Sequence, residues 1–156
     1  MTGNDNTSAA PEILAAIGGL TTKIGAADIT GVEWITTAAD KSAGFTLSVR
    51  VRWNEAVTVT GNPTLAVTNG NQGTGSGRGP HSLVYASGAG SNELVFSLAI
   101  AAANAATNAD DVLTVAAQTI ALAGGTIKDT ADGTTVSARA ISGAQGTACG
   151  SITVVA

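Results

Sequence analysis

Charge is scarce in this chain. Asp, Glu, Lys and Arg make up only 12% of its 156 residues, about half the roughly 25% of an ordinary soluble domain. The seven cations (Lys23, Lys41, Lys128, Arg50, Arg52, Arg78 and Arg139) are scattered, and the formal net charge is −4. Nucleic-acid binding relies on clustered Lys and Arg that displace phosphate counterions. A polybasic membrane patch needs the same clustering. Neither nucleic acid nor a membrane surface is therefore an expected partner. Aromatics are nearly as rare: Trp34, Phe45, Trp53, Tyr85 and Phe96 complete the set. The core must be built from Val, Ile, Leu and Ala. With one cysteine, Cys149, no internal disulfide can form, and no Lys, Arg or His flanks it to activate the thiol. One His and one Cys far apart do not make a zinc site.

Long apolar runs are missing too. No window reaches the roughly 18 apolar residues of a membrane span. The N-terminus is acidic, and Gly18 and Gly19 interrupt its apolar stretch, so it lacks the pattern of a secretory signal. The expectation is synthesis in the cytosol without an address. Low charge combined with a mean hydropathy of +0.28 argues against disorder.

What the chain does have is a period of two. From Phe45 to Trp53 the odd positions are apolar (Phe45, Leu47, Val49, Val51, Trp53) and the even ones polar (Thr46, Ser48, Arg50, Arg52). That is a strand with one face on a core and one in water, and Arg50 and Arg52 belong to the wet face. Further extended segments are expected at 31–36, from Val57 to Val59, at 64–68, 83–85, 93–100, 112–115, 135–140 and 151–155. Turn signals separate them, among them Gly61-Asn62-Pro63, a turn from Ser87 to Asn92, Gly124-Gly125 and Ala131-Asp132-Gly133. A long Gly-rich loop is expected over 69–79, with His81 beside it as a surface residue. Ile100 to Ala109 is rich in Ala and helical by propensity, although Asn104 and Asn108 favour a loop. The reading is all-β: an antiparallel sandwich of about seven to nine strands over 29–156. Residues 1–28 form a short helical or extended N-terminal arm, whose apolar Ile13, Leu14, Ile17 and Leu20 need a partner surface or the domain itself.

Three stretches carry a resemblance. They are Trp53-Asn-Glu-Ala-Val-Thr-Val-Thr-Gly-Asn-Pro-Thr-Leu65, Tyr85-Ala-Ser-Gly-Ala-Gly-Ser-Asn-Glu-Leu-Val-Phe96 and Gly124-Gly-Thr-Ile-Lys-Asp129. In order and spacing they resemble the bacterial Ig-like repeats of large surface adhesins and SwmB-type proteins. Ala56 stands where the repeat usually has Pro. The resemblance implies an Ig-like sandwich and a non-enzymatic role. As a single copy with its own Met1, the chain looks like a tailed-phage virion protein. On that reading it is a capsid decoration or cement subunit, a homo-oligomer (a trimer suits a three-fold position), bound to the major capsid protein on the virion surface. The N-terminal apolar residues and Arg78 would make the contacts. The alternative is an adhesion module that binds cell-surface glycan or protein.

Candidate chemistry is sparse. No G-x-S-x-G nucleophile elbow occurs, and the loop GTGSGRGP lacks the G-K-[ST] of a phosphate-binding loop. No catalytic residue and no cofactor are expected. Calcium takes oxygen ligands from turns, which makes Asp110, Asp111, Asp129 and Asp132 the candidate ligands. The competing reading is that these Asp side chains make Asx turns.

Overall fold

The computed structural model describes residues 25–70, 79–103 and 106–156. Among these, eleven strands and one helix follow in order: β1 (Ile29–Trp34), β2 (Ala39–Asp40), β3 (Phe45–Thr60), β4 (Thr64–Gly70), β5 (His81–Ser87), β6 (Ser91–Ile100), β7 (Val112–Thr114), β8 (Gln118–Thr119), β9 (Thr126–Asp129), β10 (Ala140–Ile141), α1 (Gly143–Cys149) and β11 (Ser151–Val155). The architecture is all-β and sandwich-like, as the period-two pattern predicts. The strands β2, β8 and β10 are two-residue pairings.

Nine strands form one curled sheet in the order β1-β3-β6-β5-β4-β7-β11-β2, with β9 added to the far half of β3 and a small β10–β8 sheet apart. The sheet turns at β4, whose first half (Thr64–Val67) pairs with β5 and whose second half (Thr68–Gly70) pairs with β7. One pairing departs from the antiparallel expectation: β11 and β2 run parallel, through Val154↔Ala39 and Val155↔Asp40. They lie near opposite ends of the chain, which supplies the long crossover that a parallel pair requires.

The alternation in β3 places its apolar set inward, although Ser48 of the polar set is buried as well. Leu47, Val49, Val51 and Trp53 are fully buried, and each such burial contributes about 1.5–3 kcal/mol. Strand β3 continues through Asn54-Glu55-Ala56, but its pairing slips there. Five steps from Arg52 to Val57 answer two from Glu93 to Ser91 on β6. Such a bulge bends a strand and increases its twist. It frees the far half of β3 to pair with β9. Asn54 fixes the bulge, its Oδ1 accepting from Asp28 N at 2.7 Å while its own N–H donates to Asp28 O. Ala27, beside it, is fully buried in the core.

The motif residues prove to be corner pieces. A Cβ on Gly88 would lie 2.0 Å from Glu93 O, and Gly88 sits at φ +110. Tyr85 Oη accepts from Ala89 N at 2.9 Å across that turn, and its ring meets Phe96 edge-on at 6.3 Å. The turn at Gly61 lies against Gly125, where a Cβ would meet Thr60 O at 2.1 Å. Two of the three motifs therefore meet by direct backbone approach.

Two local readings are resolved. The Ala-rich stretch after Ile100 is not helical among its described residues, in keeping with the loop that Asn104 and Asn108 favour over Ala propensity. Ala103 and Asp110 have positive φ, and the Asn108 N–H is taken by the Asp111 carboxylate. Residues 135–140 do not form a continuous strand. Their donors go to separate partners, Ser137 N to Ile127 O and Ala138 N to Ala27 O, and one bridge (Lys128↔Val136) plus the short β10 are what remain. Helix α1 covers the open edge of β1: Gln145 Nε2 donates to Ile29 O at 2.8 Å, and Trp34 Nε1 donates to Gly150 O.

Candidate functional site: a buried polar cluster joining β4, β5 and the segment before β7

Asn69 ends the core-facing part of β4, and His81 opens β5. The β4–β5 pairing brings the two strands together at Val67↔His81. Both side chains are almost completely buried, beside the buried Asp111. His81 is thus a core residue, not the loop-surface histidine expected from its neighbours. Its strand parity with Leu83 and Tyr85 was the signal available.

Asn69 Nδ2 donates to Asp111 Oδ2 at 2.9 Å and also lies 3.4 Å from Ala106 O and 3.3 Å from His81 Nε2. An amide oxygen facing the carboxylate would be repelled, so the carboxylate fixes the amide's orientation. His81 Nε2 then accepts, and the ring is neutral. Burial pushes the His81 pKa below its ordinary value, and the charge of Asp111 opposes that with a smaller effect. Asp111 Oδ2 also accepts from Asn108 N at 2.7 Å, while the Asp111 backbone joins β11 through Val154 N. Lys41 Nζ donates to Asn108 Oδ1 at 3.1 Å. Two oxygens in this cluster are buried without a partner: Asn69 Oδ1 and Asp111 Oδ1.

The cluster ties Asn69 at the end of β4 and His81 at the start of β5 to the segment before β7. It does not pair a nucleophile with a base, because the accepting nitrogen of His81 faces the Asn69 amide. The carboxylates considered as calcium ligands fall in two places. Asp110 and Asp111 precede β7, whereas Asp129 and Asp132 lie at the end of β9 and in the turn after it. Asp129 Oδ1 accepts from Ala131 N and Asp132 Oδ1 from Thr134 N and Thr135 N, which are Asx-turn bonds. Among the described residues, no three Asp, Glu, His or Cys side chains gather as a metal-ligating group. The proposed contact residues Ile13, Leu14, Ile17, Leu20 and Arg78 lie outside the described residues.

On the outer sheet face, Arg52 pairs with Glu93 at 2.8 Å and Glu33 at 3.1 Å, and Arg50 pairs with Glu93 at 3.5 Å. The wet-face arginines therefore bridge β1, β3 and β6. An open groove of about 430 Å³ between α1 and the β7–β8 connection is lined by small residues such as Ala116, Ala117, Gly146 and Thr147, with no ionisable side chain. Cys149, against β1, has its thiol pushed up to about 11 by burial and by the nearby Glu33 charge.

Comparison of the chain with protein-family models, with curated proteins and with solved structures finds no match.

Proposed function

We propose that this chain is a non-enzymatic structural protein of a virion, a tailed-phage capsid decoration subunit that binds the major capsid protein lattice as a homo-oligomer. The observation that carries the reading is the work done by the motif residues. Gly61, Gly88 and Gly125 serve close backbone approaches, Tyr85 braces a turn, and Trp53 fills the core with its Nε1 donating to Ala138 O. Residues that the resemblance singles out are spent on a rigid scaffold. The described polar clusters hold loops and strand edges together. A rigid, weakly charged sandwich suits a subunit that works through its surface and its arm.

The test is attachment in vitro. Purified chain is mixed with capsids that lack it, and co-sedimentation is followed to saturation. Saturable binding at a fixed ratio to capsid subunits is expected, and deletion of residues 1–24 should abolish it while leaving the sandwich folded. Binding instead to host cells or their glycans, with none to capsids, supports the adhesion-module reading and overturns this one.

A further inference from the structure

We infer that the open groove between α1 and the β7–β8 connection is the seat of this chain's own N-terminal segment, residues 11–20. The groove holds about 430 Å³, with Ala116 and Ala117 on one wall and Gly143, Gly146 and Thr147 on the other. No ionisable side chain lines it. A charged occupant would lose hydration there without gaining a partner, so the groove selects a nearly uncharged segment. Residues 11–20 meet that demand. They carry one charge, Glu12, and four large aliphatic side chains, Ile13, Leu14, Ile17 and Leu20, whose burial drives the seating. The two wall glycines differ in a telling way. A Cβ on Gly146 would lie 2.2 Å from Val115 O, so Gly146 is needed to bring α1 against the connection. Gly143 answers no such need. Its backbone is not left-handed, and a Cβ there would meet nothing within 4 Å. Glycine in a helix costs stability relative to alanine, and the room it leaves on this wall fits a segment lying close against the helix.

The chain enters the sandwich beside this groove. Gly25, the first described residue, is exposed with open space around it. Ala27 O then accepts from Ala138 N at 2.7 Å, and Ile29 O accepts from Gln145 Nε2 of α1 at 2.8 Å. The segment upstream of Gly25 therefore starts next to the stretch that leads into α1. Reach is ample. At about 3.3–3.6 Å per extended residue, the chain from Leu20 to Gly25 spans up to roughly 17 Å and that from Ile13 up to roughly 40 Å, whereas α1 with its 7 residues is only about 10 Å long. Tethering makes the seating intramolecular, which favours a chain's own segment over that of a second copy. A lattice contact made by the same residues would have to draw them out of the groove. The seat thus describes the free chain, and its test needs no capsid.

The experiment is hydrogen exchange of the full chain, read by mass spectrometry over residues 11–20. Exchange at least about ten-fold slower than in an isolated peptide of residues 1–24 is expected. Gly143→Leu and Thr147→Arg each put a side chain into the groove. Either should return the segment to the peptide's rate while β3 stays protected, which shows that the variant is folded. A disulfide then decides whose segment is seated. In a chain carrying Cys149→Ser, Ile17→Cys and Ala117→Cys, oxidation should give a monomer with positions 17 and 117 joined. Exchange at the peptide's rate in the native chain overturns the proposal, as does protection that survives both groove-filling variants. A disulfide that fails to form, or forms only between chains, overturns it as well, the latter by assigning the groove to a second copy.

Discussion

His81 is the chain's only histidine, and it is buried neutral. Unfolding exposes it, and the unfolded imidazole takes up a proton near pH 6.5, whereas burial holds the folded pKa lower. The unfolded state therefore binds more protons below that pH, and stability falls as pH drops from 6.5 toward the folded pKa. Denaturant titrations at pH 7 and pH 5.5 should show that loss, and His81→Gln should flatten it. A native chain more stable at pH 5.5 than at pH 7 would rule this out. Cys149 gives a second check at the same scale. With its thiol pushed up to about 11, almost none is thiolate at pH 8. Alkylation of the folded protein should be far slower than of the denatured protein, and equal rates would contradict the placement against β1.

Helix α1 shows how local chemistry builds an element that hydropathy does not announce. Its sequence, Gly-Ala-Gln-Gly-Thr-Ala-Cys, is poor in helix formers and has no apolar stripe. Yet Ser142 Oγ accepts from Gln145 N, and Gln145 Oε1 accepts from Ser142 N at 2.8 Å, a complete capping box. Ser142→Ala should cost about 0.5–2 kcal/mol of stability, measurable by denaturant unfolding. The outer-face ladder should behave differently. Its side chains are 34–48% exposed, and exposed ion pairs contribute roughly 0–1 kcal/mol each. Arg52→Ala should cost less than about 1 kcal/mol, and salt should shrink the difference. A loss larger than that, and insensitive to salt, would mean the ladder is not screened. The same contrast explains what was legible in the sequence. β3 and β6 announce themselves because a half-buried strand writes its two faces in alternation. The α1 cap was written as well, in Ser142 and Gln145, but as a two-residue signal without periodicity. The parallel β11–β2 pair and the Asn69–His81–Asp111 cluster depend on which distant segments meet, and no local pattern records that.

For the molecule as a whole, a low-charge sandwich with bulged, braced corners reads as a rigid platform. Its motif glycines and aromatics serve that platform, and its function is proposed to reside in attachment to a repeating lattice. Deciding that requires counting the protein where it is proposed to act. Virions purified from lysates of the host that carries the gene are analysed by quantitative mass spectrometry, with the major capsid protein as internal standard. The account predicts copies in a fixed ratio to the capsid subunits, hundreds per particle. A handful of copies would place it on a tail or fibre, and its absence from the particles would contradict the account.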